Sequence, residues 1–115
     1  MKVAVVGSRT LNGPHYYLIA GNIPGGASEI VSGGAAGVDR LAERYAAEHG
    51  LPMTVIRPDY KTYDRMAPLI RNSEIIEKSD FVLILWDGRS RGTLNVIMTC
   101  IRVKKPFKVY LIKGK

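Results

Sequence analysis

The chain has 115 residues, 46% of them hydrophobic and 23% charged, and a formal net charge of +7. A chain of this length is expected to form one domain over residues 1–115 around a single core. Its apolar runs fall far short of the ~18 residues that a membrane span needs, and its N-terminus lacks the apolar segment of a secretory signal. We therefore expect a soluble, cytoplasmic protein with no membrane contact. The lone cysteine, Cys100, excludes an intrachain disulfide and is expected in the core.

The positive charge is concentrated near the C-terminus, where residues 101–115 carry six Lys or Arg and no acid. Apolar residues are interspersed among them, which favours the solvent-facing sides of a last helix and strand. An anionic ligand or partner is the alternative, and duplex DNA is the least favoured partner. The net charge itself favours encounters with polyanions but identifies none of them.

Five apolar, β-branched runs alternate with longer stretches that suit helices. These predicted strands are KVAVV (2–6), EIVS (29–32), MTVIR (53–57), FVLILW (81–86) and FKVYLI (107–112). Near-continuous apolar strands indicate a parallel sheet that is covered on both faces. The alternation therefore predicts an α/β fold, a Rossmann-like, doubly wound, five-stranded parallel sheet in three layers, α/β/α, with strand order 3-2-1-4-5.

The predicted helices have recognisable ends, with proline at or near the start of two and glycine or proline after the others. They run from near Pro14 to around Gly21–Pro24, from about Val38 to His49, from near Ala67 to about Lys78, and from Thr93 to the residues before Pro106. The last helix has an apolar face formed by Leu94, Ile97, Met98 and Ile101. Residues between the third strand and the third helix, including Tyr60 and Tyr63, are predicted to be irregular.

With this strand order, the direction of winding reverses between strands 1 and 4, and a ligand is expected outside their carboxyl ends. Three stretches rich in Gly and hydroxyl residues follow strands at that edge: GSRT (7–10), GGAAGVD (33–39) and WDGRSRGT (86–93). Glycines let backbone N–H groups approach an oxyanion, and a helix that begins there adds its positive dipole end. Each turn alone could serve tight geometry, but their convergence favours an anion site.

Several side chains in these stretches suit a phosphate-bearing ligand. Ser8, Ser90 and Thr93 can donate hydrogen bonds to phosphate oxygens, and Arg9 can supply charge and a planar fork. Asp39 could cap its helix or accept a hydrogen bond from a ribose hydroxyl.

Residues beyond the third strand could complete such a site. Tyr60 or Tyr63 could stack on a base, while Arg71 and Asn72 could contact phosphate or ribose. The alternative is ordinary surface packing of these four side chains.

Catalytic and metal-binding residues are sparse. Asp87 is the best acid or base candidate, because it lies on a loop that is expected to face the ligand. His15 and His49 have no metal-ligand spacing and are expected to be exposed. The sequence contains neither G-x-G-x-x-G nor a G-K-[ST] phosphate loop, which argues against an NAD dehydrogenase and a nucleoside triphosphatase.

Taken together, four stretches resemble the SLOG superfamily. They are VVGSRT, SGGAAGVDRLAERYAAEHGLP, RPDYKTY followed by Ala67 and by Arg71-Asn72, and SDFVLILWDGRSRGT. This superfamily has a Rossmann-like fold and includes the Lonely Guy phosphoribohydrolases and the Smf/DprA DNA-processing proteins. The chain is most similar to the small YspA-like branch, over nearly its whole length. The resemblance implies a nucleotide or nucleotide-derived ligand at the carboxyl edge of the sheet, and a homodimer or higher homo-oligomer formed through helices that flank the site.

Carried over position by position, the resemblance implies these ligand-binding residues: Gly7, Ser8, Arg9, Gly33, Gly34, Gly37, Asp39, Arg71, Asn72, Gly88, Gly92 and Thr93. Lonely Guy enzymes carry P-G-G-x-G-T-x-x-E, whose glutamate assists N-glycosidic hydrolysis, and Val96 stands at that position here. An apolar side chain cannot move a proton, so that activity is not expected. The YspA-like branch also usually has Ala-Gly where this chain has Ala67-Pro68, and often tryptophan where it has Tyr60.

Three functions remain open on the sequence alone. The favoured one is binding or sensing of a nucleotide or nucleotide-derived ligand of the ADP-ribose, NAD or nucleoside monophosphate type, with no cofactor or metal required. The second is hydrolysis of an N-glycosidic or phosphoester bond of a nucleotide, with Asp87 or Asp39 as acid or base. The third is binding of single-stranded nucleic acid, which the net charge and the basic C-terminal segment favour.

Overall fold

The computed structural model describes residues 1–113 and contains a five-stranded, fully parallel sheet. Its strands are β1 (Lys2–Gly7), β2 (Glu29–Ser32), β3 (Met53–Val55), β4 (Phe81–Trp86) and β5 (Phe107–Leu111). The order β3-β2-β1-β4-β5 confirms the predicted topology. Of the C-terminal basic residues, Lys115 lies outside the described part.

Helices cover both faces of the sheet. They are α1 (Tyr16–Ala20), α2 (Val38–Glu48), α3 (Tyr60–Tyr63), α4 (Ala67–Lys78) and α5 (Arg91–Val103). Two separate clusters of buried residues show the layering, since one joins α1 and α2 to the sheet and the other joins α4 and α5 to its opposite face. The three-layer α/β/α architecture is therefore confirmed. Within residues 1–113, every helix is too short or too polar to cross a bilayer.

The central strands form the core because their side chains are apolar on both faces. Val3, Val5, Val82 and Ile84 have no exposed surface, as expected for strands that are covered by helices on both sides. Cys100 is fully buried as predicted, and burial raises the pKa of its thiol to about 11.

Helix α5 turns a different face to the sheet from its predicted apolar face. Its buried residues are Thr93, Val96, Thr99 and Cys100. Leu94, Met98 and Ile101 are instead 40%, 54% and 55% exposed. Val96 and Cys100 belong to the buried cluster on this side of the sheet, and of the predicted apolar face only Ile97 packs against that cluster. Apolar spacing alone did not reveal which of the two faces packs.

Three smaller predictions were wrong. Strand β3 ends at Val55 rather than residue 57, because its partner β2 ends at Ser32, which pairs with Val55. Residues 60–66, predicted to be irregular, form the single turn α3 and a 3₁₀ turn, Asp64–Met66, that leads into α4. His15 is half-buried rather than exposed, and its Nδ1 accepts the Asn12 N–H at 3.3 Å; His49 is exposed as expected.

Candidate functional site

Two adjoining hollows lie at the carboxyl ends of the strands, where the winding reverses. The first has a volume of about 540 Å³ and lies between the ends of β1 and β4 and the starts of α4 and α5. The second has a volume of about 380 Å³ and lies beside the ends of β2 and β3. Arg9, Ala35, Pro68 and Arg71 line both hollows, so these residues form the boundary between the two.

Most of the residues predicted from the sequence line one hollow or the other. The first is lined by Gly7, Arg9, Asp39, Arg71, Asn72, Asp87, Ser90, Gly92 and Thr93. The second is lined by Arg9, Gly33, Gly34, Tyr60 and Arg71. Neither lining includes Ser8, Gly37 or Gly88. Ser8 is buried, Gly37 allows α2 to approach the loop after β1, and Gly88 occupies a turn at φ +82°.

Asp87 fixes the loop after β4. One carboxylate oxygen accepts the N–H groups of Arg89 and Ser90 at 2.8 and 2.9 Å, and the other accepts the Thr10 hydroxyl at 2.8 Å. These hydrogen bonds, led by those from the backbone, lower the pKa of Asp87 to about 2. The Asp87 N–H in turn donates to the Ser8 hydroxyl oxygen at 3.0 Å. A carboxylate held in this way is a poor acid or base near neutral pH, which argues against the catalytic role predicted for Asp87.

The start of α5 is capped by its own residues. The Ser90 hydroxyl oxygen accepts the Thr93 N–H at 3.2 Å and the Thr93 hydroxyl at 3.0 Å. Thr93 is buried, so its predicted donation to a ligand conflicts with its use in the cap. Gly92 borders the first hollow, and a Cβ built on it would have no neighbour within 4 Å. Its N–H belongs to the first turn, where backbone donors have no partner within the helix.

Asp39 occupies part of the backbone cradle that was predicted to receive a ligand. Its carboxylate is buried and accepts the Ala35 N–H at 3.0 Å. Burial raises the pKa of Asp39, against the opposing effects of the Ala35 N–H and the charge of Arg71. The chain thus supplies its own carboxylate at the start of α2, which is why the loop 33–39 offers a ligand fewer free N–H groups than expected.

Gly33 and Gly34 make room for two arginines. The Gly33 carbonyl accepts Arg71 Nη1 at 2.9 Å, and the Gly34 carbonyl accepts Arg57 Nη1 at 3.2 Å. A Cβ on Gly33 would lie 2.6 Å from Arg71 Nη1, and one on Gly34 would lie 2.7 Å from Arg57 Nη1. The glycine pair therefore positions guanidinium groups over the loop.

Asn72 holds Arg71 in place. Its side-chain oxygen accepts Arg71 Nε at 3.0 Å, and its amide nitrogen donates to Asn95 Oδ1 at 3.1 Å and to the Gly92 carbonyl at 3.4 Å. These bonds join α4 to α5 and use both amide protons of Asn72. Arg71 uses two of its five N–H donors on Asn72 and Gly33, which leaves the others for a ligand at the boundary.

The second hollow is strongly positive. Arg9, Arg57 and Arg71 line it, and no acidic side chain does. Among residues 1–113, the single salt bridge joins Arg44 to Glu48, on the exposed side of α2. None of the three arginines is therefore neutralised by direct contact with a carboxylate. In the same part of the chain, no group of three or more His, Cys, Asp or Glu side chains could hold a metal.

Sequence reasoning missed Arg57 and Arg89. Arg57 follows β3 by two residues and so lies at the same sheet edge as the other loops. That position was a usable signal, since all parallel strands end at this edge. Arg89 lines the first hollow and lies within the predicted loop 86–93, where neighbouring residues were chosen instead.

Comparison with known proteins shows the family of the chain and proteins that share its fold. The family model described as "YAcAr: YspA, cpYpsA-related SLOG family" matches residues 1–63, which is more than half of the chain. The chain belongs to this SLOG family. The matched part includes β1 to β3, the glycine loop and Arg57. No curated protein matches the sequence.

Solved structures with the same fold include two DNA processing proteins A, DprA. The Streptococcus pneumoniae protein superposes with a TM-score of 0.76 and 22% identity, over 99% of this chain and 50% of its own. The Helicobacter pylori protein, described for its single-stranded DNA binding mode, gives a TM-score of 0.71 and 25% identity, over 95% of this chain and 64% of its own. This SLOG chain thus spans about half the length of the first neighbour and a little under two thirds of the length of the second.

Proposed function

We propose that the two hollows form one crevice, which binds the phosphate group of a nucleotide or nucleotide-derived ligand. The observation that carries this proposal is the group of three arginines, none paired with a carboxylate, at the carboxyl edge of the sheet. Guanidinium forks match phosphate oxygens in pairs, which makes arginine the side chain best suited to this group. The phosphate lies at the boundary of the two hollows, where Arg9 and Arg71 line both.

The size and lining of the first hollow fit the nucleoside part of such a ligand. Its volume of about 540 Å³ lies within the range of about 300–1,000 Å³ that is usual for small-molecule sites. Val6, Leu69 and Ile75 supply apolar surface, while the Asp39 carboxylate supplies a polar group for a sugar or base. This combination of apolar walls and few polar groups is typical of ligand sites.

Single-stranded nucleic acid is the second candidate ligand, and the comparisons favour it. The Helicobacter pylori DprA with the same fold binds single-stranded DNA. The net charge of +7 and the exposed rings of Tyr60 and Tyr63 suit a strand, because basic grooves follow the phosphates and aromatic rings stack on bases. Both candidates place a phosphate against the same arginines and differ in whether neighbouring nucleotides add affinity.

Hydrolysis has weaker support. Val96 is 2% exposed and lines the first hollow at the position of the Lonely Guy glutamate. The hydrogen bonds of Asp87 leave Asp39 as the better acid or base candidate, since burial raises its pKa. An Asp39→Asn variant tests this alternative: loss of nucleotide turnover would support it, and absence of turnover by the wild type would exclude it.

Thermal melting at fixed ionic strength tests the proposal. A ligand at 100 times its Kd stabilises a protein by about 2.7 kcal/mol, a large shift for a small domain. We expect stabilisation by a mononucleotide or by a short single strand, with salt dependence far steeper for the strand. Failure of both to raise the melting temperature would contradict the proposal.

Self-association stays a prediction, and we propose the exposed face of α5 as its interface. Leu94, Met98 and Ile101 lie along one side of this helix and are 40–55% exposed. A second copy of this face would bury them. Light scattering of the wild type and of Met98→Glu tests the idea: a dimer that Met98→Glu converts to a monomer supports it, and a monomeric wild type overturns it.

A further inference from the structure

The second hollow is larger than one phosphate group requires. Its volume of about 380 Å³ is itself within the usual range of about 300–1,000 Å³ for a ligand site. If a single phosphate were the whole ligand at this end, Arg9 and Arg71 at the boundary would be enough to bind it. Arg57 and Tyr60 line the second hollow but not the first, so they extend the site beyond the boundary.

Arg57 is held toward this hollow by the backbone around it. Its Nη1 donates to the Gly34 carbonyl at 3.2 Å, and Gly34 has φ +72°, a backbone conformation that residues with a side chain rarely adopt. A Cβ on Gly34 would lie 2.7 Å from both Arg57 Nη1 and Val55 Cγ1. The loop after β2 and the end of β3 therefore fix the charge of Arg57 in the hollow.

Tyr60 supplies an aromatic surface next to that charge. It is the first residue of α3, whose start is fixed by the Asp59 carboxylate accepting the Thr62 N–H at 3.1 Å. The tyrosine is 58% exposed and lines the second hollow. An exposed tyrosine ring beside an arginine can stack on a base while the guanidinium binds the adjacent phosphate.

The positive charges that line the second hollow favour an anionic ligand. Its lining includes three guanidinium groups and no carboxylate. Burial is the main cause that lowers the pKa of Arg71, and the charge of Arg9 lowers it further, while Asp39 and Tyr60 raise it. Clustered cations repel one another in the free protein, and a bound anion relieves that repulsion.

We infer that the ligand consists of two nucleoside or sugar units joined through phosphate, with the linkage at Arg9 and Arg71 and one unit in each hollow. This inference rests on the proposed function and names its ligand class. Arg57 and Tyr60 are then the residues that distinguish a two-unit ligand from a mononucleotide. Both a free pyrophosphate-linked compound and a dinucleotide step of a single strand have this chemistry.

Calorimetric titration with three probes tests the inference: AMP, ADP-ribose and the 5′-phosphorylated dinucleotide pApA. Stacking and the additional arginine predict at least about tenfold tighter binding of a two-unit probe than of AMP. A preference for ADP-ribose indicates a free pyrophosphate-linked ligand, and a preference for pApA indicates a strand.

Variants locate the additional affinity. Arg57→Ala and Tyr60→Ala should each weaken the better two-unit probe by about tenfold and change AMP affinity less than about twofold. Arg57→Lys, which keeps the charge but loses the fork, should fall in between. Arg102→Ala is the matched control, since it removes one exposed arginine from the other end of α5 and should change neither affinity.

The outcomes separate this inference from the proposed function. Binding of AMP as tight as that of both two-unit probes, or equal losses for AMP and a two-unit probe in Arg57→Ala, would overturn the inference and leave the proposed function standing. Failure of all three probes to bind the folded wild type would overturn the inference, and failure of longer single strands as well would overturn the proposed function.

Discussion

The two sides of the crevice lie at the same sheet edge but treat their polar groups differently. On the β1–β4 side, Ser8, Thr10 and Asp87 use their side chains in hydrogen bonds within the protein. On the β2–β3 side, Arg57 and Arg71 each contact a backbone carbonyl and keep their charge unpaired. We therefore propose that the first side acts as a scaffold and that the second provides the free energy for binding an anion. A high density of polar residues alone does not identify the binding side.

The largest expected effect is the loss of Arg71. Hydrogen bonds to charged groups are worth about 1.5–3 kcal/mol, so Arg71→Ala should weaken nucleotide binding by roughly 30-fold. Arg71→Lys is the control, because it retains a charge without the planar fork and should recover part of the affinity. Calorimetry with AMP measures both, and an Arg71→Ala protein that binds as tightly as the wild type would place the ligand elsewhere.

Gly33→Ala should weaken nucleotide binding on the β2–β3 side without removing a charge. The added Cβ would lie 2.6 Å from Arg71 Nη1 and 3.1 Å from Asp39 Oδ2. Because the guanidinium can move aside, we expect the free energy of unfolding to fall by only about 1 kcal/mol, while affinity falls by about tenfold as Arg71 is displaced. Urea unfolding and calorimetry on the same sample separate the two effects. A large loss of stability with unchanged affinity would contradict this role of the glycine.

Asp87→Ala should show the opposite pattern on the scaffold side. Losing the hydrogen bonds that fix the loop should cost about 1 kcal/mol of stability, as for a lost helix cap, and change AMP affinity less than about threefold, since no ligand contact is removed. The folded-state pKa of Asp87, lowered to about 2, lies below its ordinary value of 3.8. Its stabilising effect is thus complete above pH 4 and is lost as the pH falls toward 2.

Urea unfolding of the wild type and of Asp87→Ala from pH 6 to pH 2 measures this dependence. The difference between the two proteins should shrink across the acid range. A difference that stays constant down to pH 2 would show that the charge of Asp87 does not fix the loop.

Gly92→Ala should have the smallest effect. No atom lies within 4 Å of the added Cβ, and alanine favours a helix over glycine, so stability should change by less than about 0.5 kcal/mol. The methyl group would project into the first hollow and weaken nucleotide binding by about threefold through steric contact. Affinity that is unaffected in calorimetry would show that the ligand does not approach the start of α5.

The sequence predicted the fold well because the fold depends on long-range pattern. Five apolar runs separated by helical stretches permit few topologies, and crossover rules leave the observed strand order as the simplest one. The rotation of α5 was not predictable, because its inward residues, Thr93, Val96, Thr99 and Cys100, are smaller or more polar than the outward Leu94, Met98 and Ile101.

The sequence also indicated where the site lies but not which groups are available to a ligand. Hydroxyls and carboxylates in loops can bind a ligand or the backbone, and Ser8, Thr93 and Asp87 bind the protein itself. Gly33 and Gly34 were interpreted as an N–H cradle, whereas they make room for arginines that come from β3 and α4. The contact of Arg57 with Gly34 spans 23 positions of the sequence, and that of Arg71 with Gly33 spans 38. A local motif cannot reveal contacts over such distances.

Nuclear magnetic resonance of the arginine side chains during titration with AMP tests most directly whether these arginines hold the ligand. The Nε–H signals of Arg9 and Arg71 should shift together and saturate with one ligand per chain, while that of Arg102 stays constant. Shifts confined to the basic residues 102–108, without saturation, would instead show that the positive C-terminal segment attracts nucleotides non-specifically and that the crevice is not their site.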